Sequence, residues 1–235
     1  MKTPLKAALC GLLLVTSTFA QTVIGWGDSL TGGAYAQTTW TVQFQALSGL
    51  TTINRGVGGN TSTQILTRFN AEPALWSNFT VIEAGRNNYS DSATVQADIA
   101  SMVASLGHQN YLVLSIIGGN YGNEDIGDTG WTQITNLNSA LQATYTTHYV
   151  DYWNPLIDAY DPLNAQDVID HAAGIVPSSL RMDNIHLTTA GYGVMAQEIY
   201  AGYLNLTAVP EPGTYALLAG LVGLGLAMWR KRSVA

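Results

Sequence analysis

The sequence predicts an α/β fold, a three-layer α/β/α sandwich around a central parallel sheet, on two observations. Short apolar runs that suit buried strands alternate along the chain with stretches of helical length, the pattern of a parallel sheet covered on both faces. The composition is 47% apolar and only 11% charged, with 24 glycines, which describes a loop-rich globular body with a neutral surface and not a disordered chain. Both termini read as sorting signals, so the 235 residues leave one domain, 21–208, to fold around one core.

The elements follow in order. Thr22-Val23-Ile24-Gly25-Trp26 reads as a strand that ends in the turn Gly27-Asp28-Ser29. Further strands are predicted over 51–54, 79–83, 111–117 and 149–152. Helices are predicted over 38–47, 61–70, 92–106 and 131–148, and a last one begins at Thr188 or Thr189, either of which can cap it, and runs through Tyr203. The stretch 118–130, rich in Gly, Asn and Asp, reads as one long loop. Active sites of parallel sheets gather beyond the carboxyl ends of the strands, where Ser29 and Asn87 are both expected.

Composition also excludes functions. Between the two end segments the basic side chains are Arg55, Arg68, Arg86 and Arg181, so the body is acidic and disfavours nucleic acid and anionic headgroups. Cys10, the one cysteine, lies in the N-terminal apolar run, which removes disulfides, thiolate metal sites and a cysteine nucleophile from the body. His108, His148 and His171 lack ligand spacing and read as surface or loop residues, and neither metal nor cofactor is expected. His171, with Asp167 and Asp170, offers polar atoms near the predicted active edge. Trp131, Tyr121, Tyr152 and Trp153 read mostly as core, with Tyr121 a candidate to stack on a sugar ring.

A serine hydroxyl becomes a useful nucleophile when a base takes its proton, and a carboxylate fixes that base's tautomer. The body offers Ser29 near its start and Asp183-Asn184-Ile185-His186 near its end, a spacing that puts acid and base on one short loop. Gly27-Asp28-Ser29-Leu30 resembles the first block of the GDSL/SGNH hydrolases. Asn54 to Ser62 resembles their second block, Gly85-Arg86-Asn87-Asn88 the third, and Asp183 to His186 with Leu187-Thr188-Thr189-Ala190-Gly191-Tyr192 the fifth. Four blocks in family order span nearly the whole body. The resemblance implies an SGNH, flavodoxin-like sandwich and a serine esterase, with Ser29 as nucleophile, His186 as base then acid, and Asp183 orienting it. It implies oxyanion donors at the backbone N–H of Ser29, the backbone N–H of Gly59 and the side-chain amide of Asn87. Asn88 stands where the family usually has aspartate. It can accept through its carbonyl oxygen but carries no charge, so a less rigid loop is expected, with activity retained.

Lys2, Lys6, the apolar run Ala7–Val15 and Thr18-Phe19-Ala20 read as a signal peptide over 1–20. At the other end, 209–235, Pro210-Glu211-Pro212 precedes an apolar segment and Arg230-Lys231-Arg232. This resembles the PEP-CTERM sorting signal, with a short transmembrane segment as temporary anchor and an exosortase as processing partner, and it implies a body exported to the bacterial cell surface or secreted. The substrate that this context implies is an ester on a polysaccharide, removed by O-deacetylation. The alternatives are a lipase or thioesterase on acyl chains, an O-acetyltransferase, which the short chain disfavours, or a non-catalytic glycan-binding surface protein.

Overall fold

The computed structural model describes residues 22–34, 36 and 38–207. The expected signal peptide over 1–20 and sorting segment over 209–235 lie outside the described residues. Among the described residues no helix is long and apolar enough to cross a membrane.

In chain order the elements are β1 (Val23–Gly27), α1 (Ser29–Gly32), α2 (Trp40–Ser48), β2 (Thr52–Gly56), α3 (Ser62–Ala71), β3 (Phe79–Ile82), α4 (Ser92–Leu106) and β4 (Tyr111–Leu114). They continue with α5 (Thr129–Tyr145), β5 (Tyr149–Val150), α6 (Trp153–Asp158), α7 (Ala165–Ala173) and α8 (Thr189–Thr207). The strands form one sheet in the order β2-β1-β3-β4-β5, every pairing parallel. β1, β3 and β4 are buried at every residue, as apolar strands covered on both faces must be.

The crossovers explain the layers. The chain passes from β1 to β2 in one direction, then jumps back over β1 to β3 and on to β4 and β5. Right-handed connections in opposite directions put their helices on opposite faces. α2 accordingly packs on α8, while α3 packs on α4 and α4 on α5. The reversal between β1 and β3 opens a crevice beyond their carboxyl ends, where such sheets bind ligands. Close packing there depends on glycine. A Cβ at Gly25 would sit 2.5 Å from the Trp40 ring, and one at Gly27 2.2 Å from the Thr31 hydroxyl.

The differences from sequence expectation have local causes. β4 stops at Leu114, not Ile117, because the Asn138 side chain takes both the N–H and the C=O of Ile116, at 2.7 Å each, in place of a neighbouring strand. β5 holds only Tyr149 and Val150, and Asp151 turns the chain by accepting the N–H of Trp153. α5 runs 129–145 and ends in a 3-10 turn over 146–148. Thr188 caps α8, its hydroxyl accepting the N–H of Gly191. The segment 115–128 is without helix or strand, as expected for 118–130, whereas α1, α6 and α7 are short helices that the periodicity did not predict.

Candidate active site

β1 delivers Ser29 to the crevice. Asp28 caps α1, its Oδ1 accepting the N–H of Leu30 at 2.9 Å, so Ser29 is the first helical residue directly after the strand. Across the crevice the sequence 181–187 folds back on itself through a bridge between Arg181 and Leu187 and a 2.7 Å bond from the N–H of Met182 to the carbonyl of His186. Within that turn Asp183 Oδ1 accepts the N–H groups of Ile185 and His186 at 2.9 and 2.8 Å. Its Oδ2 lies 2.7 Å from His186 Nδ1, and His186 Nε2 lies 2.9 Å from Ser29 Oγ. An acceptor-only carboxylate at Nδ1 requires Nδ1 to carry the proton, which leaves Nε2 to accept from the serine hydroxyl. Burial opposes the charge on Asp183, but the bonds from His186 and Ile185 outweigh it and lower its pKa.

The turn itself is anchored from α7. Arg181 donates to the carbonyls of Val176 and Asp183 and pairs with buried Asp170 at 2.9 Å. Asp167, also buried, accepts from the hydroxyls of Ser178 and Ser179 and from the N–H of Ser179. Burial alone would raise the pKa of Asp167, yet these bonds bring it down to about 2. Asp167 and Asp170 are therefore struts for the loop that carries Asp183 and His186. His171 meets Asp158 at 3.5 Å and stacks on Tyr160.

Ser29, Gly59, Asn87 and His186 line one cleft of about 530 Å³, together with Ala34, Gly58, Arg86, Tyr121 and Ile185. Asp183 stands behind His186 and off the cleft wall. Gly59 adopts φ +75°, a conformation that glycine takes without penalty. Among the described residues no acceptor takes the backbone N–H of Ser29 or of Gly59. The amide of Asn87 differs from the expectation of a donor held ready for the cleft. Its Nδ2 donates to Asp28 Oδ2 at 2.8 Å and to the carbonyl of Asn60 at 3.0 Å.

Sequence reading missed three groups here. Glu83 is fully buried at the end of β3, its Oε2 accepting the N–H of Asp28 and the Thr31 hydroxyl, both at 3.2 Å. Its Oε1 is buried and receives no donor among the described residues. Burial, then the neighbouring Asp28, push Glu83 well above the usual carboxylate range. Burial raises Asp28 too, but Asp28 also receives donors from Leu30 and Asn87, so the shared proton belongs on Glu83. A carboxyl closing an otherwise apolar strand was the available signal.

Arg86 and Glu124 form the third and second of these unpredicted groups, a buried ion pair at 2.9 Å. Glu124 also accepts from the Tyr89 hydroxyl and the N–H of Gly119, and the Arg86 guanidinium lies over the rings of Tyr89 and Tyr121. Tyr121, read as mostly core, is exposed at 38% and belongs to the cleft wall.

Comparison with known proteins adds a family and several likenesses. Residues 23–194 match the model of the GDSL-like lipase/acylhydrolase family, and residues 208–232 match the PEP-CTERM protein-sorting motif. A lipase/acylhydrolase from Enterococcus faecalis superposes with a TM-score of 0.61 at 18% identity, over 81% of this chain and 98% of that one. An acetyl-xylooligosaccharide esterase from Geobacillus superposes with a TM-score of 0.57 at 16% identity, over 78% and 94%. The tail spike protein of Salmonella phage epsilon15 is 33% identical over 111 residues, which are 45% of this chain; the chain spans 10% of that protein's length.

Proposed function

The chain belongs to the GDSL-like lipase/acylhydrolase family, and on that premise we propose that it hydrolyses carboxylic esters through an acyl-enzyme formed on Ser29. The observation that carries this reading is the continuous line Ser29 Oγ, His186 Nε2, His186 Nδ1, Asp183 Oδ2, with contacts of 2.9 and 2.7 Å.

In this reading Ser29 Oγ attacks the ester carbonyl as its proton passes to His186 Nε2. Asp183, ionised and bonded at Nδ1, stabilises the imidazolium that forms. The oxyanion takes the N–H groups of Ser29 and Gly59, and it competes for the Asn87 N–H that meets the carbonyl of Asn60. Such donors lower the barrier by about 3–4 kcal/mol each. Collapse expels the alcohol, which takes the proton from His186. Water then attacks the acyl carbonyl as its proton passes to His186, and collapse breaks the bond from the acyl carbon to Ser29 Oγ, which takes that proton back from His186 as the acid leaves.

The proposed substrate is an acetyl ester on a polysaccharide. The cleft mixes polar walls with the exposed ring of Tyr121 and suits a sugar better than a long acyl chain. The acidic body suits a neutral polymer, and one fold neighbour is named for acetyl-xylooligosaccharides. The PEP-CTERM motif supports an exported, surface-associated protein that an exosortase processes, the C-terminal segment serving as a temporary anchor.

The test is hydrolysis of p-nitrophenyl acetate, butyrate and octanoate by the purified protein and its Ser29→Ala variant. The variant should lose at least ~10³-fold in kcat, and acetate should be the best of the three esters. A preference for octanoate would promote the lipase or thioesterase reading. Equal, negligible rates for both proteins, on these esters and on acetylated polysaccharide, would leave the glycan-binding reading.

A further inference from the structure

A second depression, separate from the catalytic cleft, lies beside the edge strand β5. It measures about 390 Å³, within the range of small-molecule sites, and is formed by α5, the turn into α6 and the end of α7. Its walls include the half-buried rings of Trp131 and Tyr149 and the edge of Trp153, which is only 3% exposed. The Trp153 indole N–H is buried with no acceptor among the described residues. The rim carries Gln142, Asn154 and Asp151, and neither lysine nor arginine is among the lining residues.

These features select a ligand. Asp151 with no lining lysine or arginine, and with His171 already facing Asp158 and stacked on Tyr160, disfavours phosphates and uronates. A polar rim of amides and a carboxylate disfavours an acyl chain, which would leave those groups dry. An uncharged sugar satisfies both halves of the site, because its C–H face packs on indole or phenol rings and its hydroxyls meet amide and carboxylate groups.

The position of the groove connects it with the catalytic cleft. The segment 115–128 contributes Tyr121 to the cleft and Ile126 to the groove. The chain after α7 likewise contributes Gly174 to the groove and Ile185 and His186 to the cleft. The same two segments thus border both openings. We infer that the groove at Trp131, Tyr149 and Trp153 is a second subsite, which holds an uncharged sugar residue of a polymer whose ester enters the cleft at Ser29. Only the final clause rests on the esterase reading; binding of an unesterified sugar at the groove does not.

The experiment uses the intact protein and a panel of unesterified, uncharged hexasaccharides of xylose, glucose, mannose and galactose, with polygalacturonate fragments as the charged control. Binding is read by saturation transfer from protein to sugar protons. At least one neutral hexasaccharide should bind, and the charged fragments should not. Trp131→Ala removes a wall, and Ser139→Arg plugs the groove from an exposed position of α5. Each should sharply weaken the transfer and leave p-nitrophenyl acetate hydrolysis within about twofold, while raising KM on an acetylated polymer about five- to tenfold with kcat steady. The arginine variant keeps the test intact if the alanine variant fails to fold. No binding by any neutral sugar, or binding that both variants leave undiminished, overturns the subsite. Sugar binding without ester hydrolysis would instead sink the esterase reading alone.

Discussion

Asn88 stands where the family's third block usually has aspartate, and its side chain is bonded through both its oxygen and its nitrogen. Its Oδ1 accepts the N–H of Ser62 and its Nδ2 donates to the Ser62 hydroxyl, both at 3.0 Å. That hydroxyl has one proton, and it goes to buried Asp98 at 2.6 Å. Thr63 gives Asp98 a second bond at 2.7 Å. An aspartate at 88 would present a carboxylate to a serine oxygen whose proton is already committed, with a second carboxylate on the far side. Asn88 is therefore the partner that Asp98 requires. Asn88→Asp should destabilise the fold by about 1–3 kcal/mol, and adding Asp98→Asn should recover most of the loss, because the serine proton can then turn to residue 88. Urea unfolding of the two single variants and the double one measures the coupling. Additive losses would contradict the arrangement.

Among the elements, the segment 115–128 shapes the cleft; after Ser115, whose N–H meets the carbonyl of Val150, it is held by single backbone bonds to Asn184 and Ala173 and by side chains. Glu124 ties it down through Arg86, Tyr89 and the N–H of Gly119. Glu124→Ala would strand the Arg86 guanidinium in the interior, and removing one member of a buried pair costs about 3–5 kcal/mol. The variant should unfold at lower urea, be nicked by protease within 115–128, and lose kcat/KM as Tyr121 leaves the cleft wall. Intact resistance to protease would show that the segment is held by other contacts. That tie marks the limit of what the sequence disclosed at this scale. β1, β3 and β4 were legible because strands buried on both faces leave unbroken apolar runs, and α4 and α5 because they are long. α6 was not, since its six residues give too few turns for periodicity, and α7 was not because its buried positions are Asp167 and Asp170 while Val168 and Ile169 are exposed, the reverse of an apolar core stripe. The loop was legible as a loop, but its course depends on Arg86, 38 residues from Glu124 in the chain, and spacing along a sequence does not reveal such a pair.

For the whole molecule, Ser29, Asp183 and His186 were readable as candidates because each sits in a local motif, whereas the buried support beneath them was not, because Glu83 and Asp28 meet only through the pairing of β1 with β3. That support and the struts of the His186 turn set how stability depends on pH. Asp167 has a folded pKa of about 2, below its unfolded value of about 3.9. Its contribution is therefore complete above about pH 4 and is lost as pH falls toward 2. Glu83 has the opposite sign. Its pKa is raised in the fold, so the stability it confers is present below about pH 4.3 and declines as pH rises through the folded value. Burial raises the tyrosines as well, Tyr145 to about 12 and Tyr149, Tyr152 and Tyr192 further. Unfolded tyrosines ionise near pH 10, so stability should fall steeply above about that pH. Urea midpoints across the pH range should climb from acid to about pH 4, lie level or decline gently through neutrality, and drop in strong alkali. Glu83→Gln keeps a donor for Asp28 and an acceptor for the Asp28 N–H and the Thr31 hydroxyl without a titrating group. It should match the parent near pH 4 and exceed it increasingly toward neutral pH. A parent whose midpoint still rises between about pH 5 and 8, or a glutamine variant weaker than the parent throughout that window, would show that the proton does not reside on Glu83.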